Sequence, residues 1–390
     1  MEKVKNIGLA IDAVGAYGRG VIRGIMAYCQ TNPSWRITIE PRWSFMQMPN
    51  PERWDVDGII VQISSVEAEG RLMRRRKPVV NISNFRNFER LPAVIPDDAA
   101  IAVMAADYLV DRGFAHYGFC GPGDLEFARL RLRAFQDRLA ERGFTCSLCN
   151  TINTDIIDWL RSLPKPVAVL GCNDDWAHHV LNACRTLSLR VPDQVAVLGV
   201  DDDELFNTLV SPSLSSIEVP TQKIGFEAAA LLDRMMNNEK VGRIIKHLPP
   251  RRVVSRASTD VVALQDADLA TAIRYIRDHA HKPLRVSDLL DHITLSRRTL
   301  ERRFREEVGH SVQEEMQRVH IERSKSLLLT TDMSMAAIAL HSGFTSATRF
   351  GIAFRREMGT TPGEFRTSRR ISTAGELPGA KEKGKSKSGE

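Results

Sequence analysis

Residues Ser334–Phe365, SMAAIALHSGFTSATRFGIAFRREMGTTPGEF, combine two short helices, a glycine turn and a Thr-Pro stop in one unit. Apolar residues one helical turn apart give the first helix a buried face, and Gly343 ends it. Thr345 or Ser346 can cap the second helix, in which Phe350 and Phe354 lie one turn apart. This spacing predicts a helix-turn-helix with a short, polar second helix.

The same plan occurs once more, closer to the N-terminus. In Val286–Phe304, VSDLLDHITLSRRTLERRF, Ser296 is positioned to cap a second helix whose apolar side carries Leu300 and Phe304. This helix carries five basic side chains, which form a patch suited to phosphates and base edges: Arg297, Arg298, Arg302, Arg303 and Arg305. A duplicated helix-turn-helix with a basic patch indicates binding to double-stranded DNA.

A fixed motif runs through the second unit. It reads Ile-Ala-x-x-x-Gly-Phe, then two phenylalanines four residues apart, then Gly-x-x-Pro-x-x-Phe-Arg, at Ile338, Ala339, Gly343, Phe344, Phe350, Phe354, Gly359, Pro362, Phe365 and Arg366. Through these positions the chain from about Asp266 to Arg370 resembles the DNA-binding domain of the AraC/XylS family of bacterial transcription regulators. The resemblance implies an all-α domain with two helix-turn-helix motifs.

Base contacts are expected from the exposed N-terminal face of each second helix, where one arginine can distinguish bases by ~1–3 kcal/mol. The predicted DNA-contacting residues are Ser296, Arg297, Arg298, Thr299, Arg302 and Arg303 in the first unit and Thr345, Ser346, Thr348 and Arg349 in the second. We expect the two helices to enter successive faces of the major groove. A homodimer would cover two such half-sites, and RNA polymerase is the expected partner at the promoter.

Length and charge indicate a regulator of two or three domains. The 390 residues exceed one usual core. Lysine and arginine exceed aspartate and glutamate by only 54 to 48, for a net charge of +6, so basic charge matters only where it is concentrated. No apolar run reaches the ~18 residues of a membrane span, and the short N-terminal run is interrupted by Asp12. We therefore predict a first strand instead of a signal peptide, and a cytoplasmic protein without a membrane partner.

Strand-like and helix-like segments alternate through the first 250 residues. The predicted strands are Asn6–Ile11, Asp57–Ile63, Pro78–Ser83, Tyr117–Gly121, Val167–Cys172 and Val195–Val200. Such alternation is typical of an α/β fold whose parallel sheets are covered by helices on both faces. Ligands of these folds bind at the carboxyl ends of the strands. The residues that follow each strand are therefore the candidate site.

Polar and aromatic residues collect at these strand ends. The predicted ligand-binding residues are Asp12, Tyr17, Arg129, Arg131, Asn173, Asp174, Trp176 and Asp201. Carboxylates, amides and arginines can pair with sugar hydroxyls, and an aromatic ring can cover the apolar face of a sugar. The set predicts a sugar cleft. Alternatives remain for individual members: Arg129 and Arg131 could be solvated charges on an arginine-rich helix, and Trp176 could belong to the core.

The segments ARLRLRAF, CNDDWA, LGVDDDELF and LPPRRVVSRAST carry a second likeness, over roughly residues 5–260. They resemble the effector-binding domain of the LacI/GalR repressors, which is similar to periplasmic sugar-binding proteins. The resemblance implies a two-lobed sensor that contacts its effector through Arg131, Asn173, Asp174 and Asp201. LacI-type repressors carry their DNA-binding headpiece at the N-terminus, whereas this chain carries its DNA-binding domain at the C-terminus.

The arrangement of a LacI-type sensor followed by an AraC-type DNA-binding domain resembles activators of pentose operons over about 365 residues. The resemblance does not fix the sugar, and the effector we predict is a pentose such as D-xylose. The predicted organisation is a sensor at 1–255, a linker at 256–266, a DNA-binding domain at 267–370 and a disordered tail at 371–390. We expect sugar to close the two lobes. Closure would then change how two copies pair and how their DNA-binding domains are spaced.

Two other classes of protein remain as alternatives. A cytoplasmic carbohydrate-metabolising enzyme could use Asp174 and Asp201 as an acid/base pair, although the sequence contains no set of nucleophile, base and orienting residue. A sugar-binding transport component would lack a use for the DNA-binding domain. We expect no cofactor, and His178 and His179 are expected to be structural because no further metal-ligand cluster accompanies them.

Overall fold

The computed structural model describes residues 4–39, 54–86, 90–239, 241–242, 244–260 and 267–373. The chain divides into two compact units, Met1–Ala263 and Leu264–Glu390, here called the sensor and the reader. Within the described residues, no helix combines the length and the apolar character needed to cross a lipid bilayer. Residues 261–266 of the predicted linker and residues 374–390 of the predicted tail lie outside the described residues.

The sensor contains two six-stranded sheets, each the centre of one lobe. The sheet of lobe 1 has the order β11-β5-β4-β3-β1-β2, with every pair parallel. Its strands are β1 Lys5–Ala10, β2 Trp35–Ile39, β3 Gly58–Val61, β4 Val79–Asn81, β5 Ala93–Pro96 and β11 Ile245–Leu248. Because β1, β3, β4 and β5 are buried on both faces, they consist almost entirely of apolar residues.

The sheet of lobe 2 has the order β12-β10-β9-β8-β6-β7, in which β12 alone runs antiparallel to its neighbour. Its strands are β6 His116–Gly121, β7 Cys146–Asn150, β8 Val167–Gly171, β9 Val195–Val200, β10 Ser215–Glu218 and β12 Arg252–Val254. The described chain passes between the lobes after β5, after β10 and after β11. These crossings leave a cleft between the two sheets.

Helices cover both sheets. In chain order they are α1 Ala16–Thr31, α2 Val66–Arg74, α3 Asp98–Val110, α4 Glu126–Glu141, α5 Ile156–Ser162, α6 Asp174–Thr186, α7 Glu204–Leu209 and α8 Thr221–Met236. Helices α1 and α8 pack together on lobe 1, and α3 packs against α4 on lobe 2. A 3-10 turn, Ala257–Thr259, follows β12 and packs on β9 and β10.

This turn changes the expected start of the linker. Ser258 and Thr259 are fully buried, and Ser258 Oγ donates a hydrogen bond to Val197 O at 2.5 Å. The segment from residue 256 to residue 260 is therefore an integral part of lobe 2, whereas the sequence pattern suggested a connection beginning at 256. The serines and threonines of this segment are typical of a polar loop. Their burial depends on tertiary hydrogen bonds, which the sequence pattern does not show.

The reader is helical throughout its described residues. Its helices are α9 Ala267–Asp278, α10 Val286–Leu290, α11 Arg297–Val308, α12 Val312–Thr330, α13 Met335–His341, α14 Ala347–Met358 and α15 Pro362–Thr373. The pairs α10/α11 and α13/α14 are the two predicted helix-turn-helix units, and α12 connects them. The apolar motif residues Leu300, Phe304, Ile338, Phe344, Phe350 and Phe354 are buried, as is Leu289 on α10, while Ile293 and Leu295 between α10 and α11 are half-buried.

Candidate functional site

A cavity of about 290 Å³ lies between the lobes, at the carboxyl ends of the parallel strands. Its polar lining includes Asp12, Gln62, Ser83 and Asn84 from lobe 1 and Asp98, Arg131, Asn173, Asp174, Asp175, Asp201 and Asp203 from the other side. Its aromatic lining consists of Tyr17, Phe85, Phe127 and Trp176. The volume is close to the lower end of the roughly 300–1,000 Å³ typical of small-molecule sites.

A buried ion pair forms the floor of the cavity. Arg131 on α4 is 4% exposed, and its Nε lies 2.8 Å from Asp98 Oδ1 at the start of α3. Asn84 lies just after β4, and its Nδ2 donates a hydrogen bond to Asp98 Oδ2 at 2.8 Å. Burial raises the pKa of Asp98, while the charge of Arg131 lowers it. Buried ion pairs of this kind are held in one geometry by their hydrogen bonds, so the guanidinium is fixed for ligand contact.

Asp174 is satisfied by lobe 2 itself. Its carboxylate accepts hydrogen bonds from Asp203 N at 2.8 Å, Asn207 Nδ2 at 2.8 Å and Ser216 Oγ at 2.5 Å. Burial and the neighbouring Asp201 raise its pKa to about 8. The residue lines the cavity, but its main contacts organise the loop after β9. Its first role is therefore to position that loop.

Asp201 presents the least engaged carboxylate at the cavity. Its backbone has φ +109°, a conformation that side chains rarely adopt, and no described residue donates a hydrogen bond to its carboxylate. Burial raises its pKa to about 7, with Arg131 opposing the shift and Asp175 adding to it. A carboxylate held without a donor beside a fixed arginine is suited to accept hydroxyl hydrogens from a ligand.

The remaining predicted ligand residues lie around this centre. Tyr17 OH donates to Ile82 O at 2.5 Å, and burial together with Asp201 and Asp98 raises its pKa. Asn173 caps α6 by accepting a hydrogen bond from Trp176 N at 3.1 Å. The Trp176 ring is half-buried at the wall. Asp12 lines the other side, where its Oδ1 accepts a hydrogen bond from Val14 N at 2.9 Å.

Arg129 does not line the cavity, in contrast to the prediction. Its side chain is 65% exposed and pairs with Glu126 one helical turn away at 2.7 Å. Two positions along α4 separate it from Arg131, which turns its side chain by about half a helical revolution toward the opposite face. The structure thus supports the solvated-charge alternative for Arg129 and excludes it for the buried Arg131.

Several residues of the lining are absent from the predicted ligand-binding set, namely Gln62, Asn84, Asp98, Phe127, Asp175 and Asp203. The signal for Asp98 was its place just after AVIP, a strand so short and proline-terminated that it was not recognised. Asn84 also follows a predicted strand, and Phe127 begins the helix that carries Arg131. Among the described residues, no group of three His, Cys, Asp or Glu side chains is arranged to hold a metal ion.

The first helix-turn-helix unit has the predicted cap and core. Ser296 Oγ accepts a hydrogen bond from Thr299 N at 3.3 Å at the start of α11, and Gly309 ends the helix at φ +84°. On its exposed face, Arg297 pairs with Glu301 at 3.0 Å and Arg302 with Glu306 at 2.7 Å. Arg298 is exposed and makes no ion pair with any described residue.

The second unit turns at Gly343. Its φ is +77°, and a Cβ at this position would lie 2.5 Å from His320 Nε2 on α12, so both backbone and packing require glycine. Ser346 Oγ accepts a hydrogen bond from Arg349 N at 3.2 Å and begins α14. Thr345, Ser346, Thr348 and Arg349 are all exposed. Both second helices thus present polar N-terminal turns to solvent, as recognition helices require.

Family comparisons divide the chain in the same way. Residues 6–100 match the XylR N-terminal domain, residues 106–259 a periplasmic binding protein-like domain, and residues 289–368 a helix-turn-helix domain. The "Xylose operon regulatory protein" of Escherichia coli (strain K12) is 31% identical over 382 residues, which cover 93% of this chain and 97% of that protein. Its counterpart in Haemophilus influenzae is 30% identical over 383 residues, covering 94% and 99%.

A solved structure, described as "structure of xylose-binding transcription activator xylR", superposes with a TM-score of 0.75 at 29% identity, covering 94% of this chain and 99% of that one. The predicted α/β sensor followed by an all-α double helix-turn-helix domain is confirmed by this match. The two relatives are named as operon regulatory proteins and the solved structure as a transcription activator, which confirms the prediction of a transcription regulator over an enzyme. The similarity covers nearly the whole length of these relatives and includes both the two-lobed sensor and the DNA-binding domain. The chain therefore belongs to the family of xylose operon regulatory proteins.

Proposed function

We propose that this protein activates pentose catabolic genes in response to D-xylose bound between the sensor lobes. The observation that carries the proposal is the cavity centre, where the Arg131 guanidinium is fixed by Asp98 and the Asp201 carboxylate is without a donor. One group donates and the other accepts. Adjacent hydroxyls of a sugar need this combination, and Trp176 can cover the apolar face of the ring. The xylose-named relatives support D-xylose as the pentose.

The charge of the cavity favours a neutral ligand. Its lining contains one guanidinium, Arg131, and six carboxyl groups, those of Asp12, Asp98, Asp174, Asp175, Asp201 and Asp203. A phosphate or carboxylate on the ligand would meet this excess of negative charge in a partly desolvated site. We therefore propose that unmodified sugars bind, while sugar phosphates and sugar acids are rejected. The proposed ligand-binding residues are Asp12, Tyr17, Arg131, Asn173, Asp174, Trp176 and Asp201.

On the reader, we propose that α11 and α14 enter the major groove. The exposed, polar first turns of both helices support this role. Arg298 and Arg349 are available for base edges, whereas Arg297 and Arg302 would exchange their glutamate partners for DNA. The proposed contact set also contains Ser296, Thr299, Arg303, Thr345, Ser346 and Thr348.

The remaining features of the proposal concern assembly. We propose a cytoplasmic homodimer that covers two half-sites and engages RNA polymerase at the promoter. The two helix-turn-helix units of the reader support this, because a dimer with four such units would span four major-groove faces. We also propose that the connection between sensor and reader begins after Asp260. The predicted tail begins at residue 371, but α15 continues to Thr373.

The sugar assignment is tested by calorimetric titration of the full chain with D-xylose, D-ribose, L-arabinose, D-xylulose 5-phosphate and D-xylonate. We expect saturable binding of D-xylose that is weakened at least tenfold in Asp201→Asn. The matched control is Asp158→Asn, an exposed aspartate on α5 whose side chain pairs with Arg161. Tighter binding of the phosphate or the acid than of any neutral sugar would contradict the proposed ligand class.

The DNA assignment is tested by selecting bound fragments from a random duplex library, followed by footprinting of the selected site. Two protected half-sites per complex, each spanning about two turns of major groove, are expected from a dimer with two reading helices in each chain. Protection of a single half-site at saturation would contradict the proposed dimer. Loss of selection in Arg298→Ala, with sugar binding intact, would assign the effect to the reader.

A further inference from the structure

The loop that follows β9 has two functional sides. Asp201 lines the cavity, whereas its neighbour Asp202 is outside the cavity lining and faces the last segment of the sensor. Neither residue is glycine, yet both have a positive φ, +109° for Asp201 and +54° for Asp202. Consecutive residues in such sparsely populated conformations persist only where surrounding contacts hold them. The strained pair therefore marks a loop whose shape is defined from both sides.

Hydrogen bonds hold this loop tightly to lobe 2. Asp202 N donates to Ser216 Oγ at 3.0 Å, and Asp203 N donates to Asp174 Oδ2 at 2.8 Å. Ser216 in turn donates to Asp174 Oδ1 at 2.5 Å. These bonds hold the cavity side and the outer side of the loop rigidly together. A displacement of Asp201 by a bound ligand would therefore move Asp202 as well.

Asp202 is joined to the exit segment, which we define as residues 255–260, the last described residues of the sensor. Its Oδ1 lies 2.8 Å from Arg256 Nη2, with side chains only 16% and 12% exposed. Arg256 also donates through Nη1 to Leu214 O at 2.9 Å and through its backbone N to Ser215 Oγ at 2.7 Å. The arginine thus connects the loop beside the ligand to the chain that continues into the reader.

The exit segment is held in a defined shape by its own hydrogen bonds. A movement of Asp202 would therefore be passed on through this segment as a unit. Ser258 is fully buried and bridges two strands by donating to Val197 O and accepting from Ser215 N at 2.8 Å. Thr259 Oγ1 lies 2.7 Å from Tyr108 OH on α3. No other described ion pair joins the exit segment to the loop beside the ligand. The Asp202–Arg256 contact is thus the direct link between the two.

We propose that Arg256, through its ion pair with Asp202, is the positioning residue that couples sugar occupancy at Asp201 to the DNA affinity of the reader. The inference rests on the proposed function, because it requires that a sugar contacts Asp201. A ligand shifts the equilibrium between two states only as far as its affinities for them differ. Breaking the pair removes part of that difference without removing a group that contacts the ligand.

The test measures coupling separately from binding. For the full chain, the dissociation constant for D-xylose is measured by calorimetry, and that for a selected DNA duplex by fluorescence anisotropy with and without saturating D-xylose. The ratio of the two DNA constants is the coupling, for which roughly 5- to 150-fold is typical. In Arg256→Gln we expect this ratio to fall at least fivefold toward one, while D-xylose affinity stays within about threefold of the wild type.

A matched control is available on the adjacent strand. Arg252 on β12 pairs with Glu218 at 2.9 Å, but its side chain is 68% exposed and it does not contact the loop beside the ligand. Arg252→Gln removes the same charge four residues away and should retain the wild-type ratio. A merely structural role for Arg256 would lower the melting temperature and leave the ratio unchanged in the folded protein.

A second variant covers the possibility that Arg256→Gln fails to fold. Asp202→Asn is isosteric, tolerates a positive φ and removes the charge from the other side of the pair. We expect the same loss of coupling in this variant. Full retention of the wild-type ratio in a folded variant of either residue would overturn the inference. Failure of the wild-type protein to bind any sugar would instead overturn the proposed function, and it is detected before any variant is compared.

Discussion

Arg19 Nη2 on α1 lies 2.7 Å from Asp203 Oδ2, so an ion pair joins lobe 1 to lobe 2 at the rim of the cavity. The lobes also meet through backbone hydrogen bonds, from Glu126 N to Phe85 O at 3.0 Å and from Phe127 N to Asn84 O at 2.9 Å. Opening of the lobes would break these contacts. The Arg19–Asp203 pair therefore stabilises the closed lobes relative to the open ones.

Reversal of this pair should first weaken and then restore sugar binding. Arg19→Asp or Asp203→Arg alone places like charges opposite each other and favours the open lobes. The side chains are 33% and 14% exposed, so the pair contributes about 1 kcal/mol, and each single variant should weaken D-xylose binding roughly fivefold or more. The double variant should recover most of the loss. Calorimetric titration of all four proteins closes the double-mutant cycle.

Salt provides the control for this prediction. The wild-type affinity should fall as ionic strength rises, and it should fall less in Arg19→Gln, which lacks the attraction. Additive losses in the double charge reversal, with no recovery, would contradict the role of the pair. In that case the backbone hydrogen bonds between the lobes would be sufficient to define the closed form.

The stability of the unliganded protein should decrease with rising pH because of Asp201. Burial raises its pKa to about 7, above the roughly 3.9 of an unfolded aspartate, so the folded protein binds this proton more tightly than the unfolded chain. The associated stability is fully present below about pH 4 and is lost as the pH rises through about 7. We expect the Asp201 contribution to lower the melting temperature of the sensor transition between about pH 4 and pH 7 and to level off above about pH 7.5.

The variant that tests this assignment is Asp201→Asn. An asparagine tolerates the positive φ at this position and cannot ionise. Its sensor should melt at a higher temperature than the wild type at pH 8.5, by an amount corresponding to about 2 kcal/mol, while it binds sugar more weakly. Asp174 also titrates with a pKa raised to about 8, so part of the slope remains. An unchanged slope from pH 6 to 7.5 would assign the titration to another group.

Gly343→Ala should destabilise the reader and leave the sensor intact. An alanine would have to adopt φ +77° and place its Cβ 2.5 Å from His320 Nε2, and the strain should cost about 2 kcal/mol or more. Differential scanning calorimetry should show a lower transition for the reader, with unchanged D-xylose affinity. Gly351→Ala is the matched control. It lies within α14 with open space around its Cβ, so it should stabilise the helix by roughly 0.5–1 kcal/mol.

Strands that are apolar throughout can be predicted from the sequence, whereas strands whose burial depends on their neighbours cannot. β8 and β9, both VAVLG, are central strands buried on both faces, and uninterrupted apolar runs predict them. β2 is an edge strand, WRITI, whose residues after Trp35 are exposed, and Arg36 and Thr38 interrupt its apolar residues. β10 begins with two buried serines: Ser215 is satisfied by hydrogen bonds with the exit segment, and Ser216 by hydrogen bonds with Asp174 and Asp202.

The candidate site shows the same division. Residues directly after predicted strands, such as Asn173 and Asp201, could be selected from the sequence because parallel strands place them at one edge. Asp98 follows the point after β5 where the chain passes from lobe 1 to lobe 2. Its contact with Arg131 joins positions far apart in the chain. No local pattern reports such a contact. Helical periodicity also left Arg129 and Arg131 undistinguished, since both lie on an arginine-rich helix.

Arginines at the start of the two reading helices should differ from those paired within α11 in their effect on DNA binding. Arg298 and Arg349 are exposed and make no ion pair with any described residue, so they are available to base edges without the loss of an existing contact. Arg298→Ala should weaken binding to a selected duplex by about 1–3 kcal/mol and relax sequence preference at one or two base pairs. Arg302→Ala should cost less, since the wild-type side chain must first leave Glu306.

Salt dependence separates the two kinds of contact. A residue that binds phosphate lowers affinity about equally for all sequences when it is removed, and the slope of log affinity against log salt falls by about one. We expect this for Arg302→Ala and expect a change in sequence preference for Arg298→Ala and Arg349→Ala. Arg133→Ala, at an 84% exposed position on α4 of the sensor, removes the same charge outside the reader and should change neither quantity. Equal effects of Arg298→Ala on selected and random duplexes would assign Arg298 to the phosphate backbone and leave base recognition to other positions of α11.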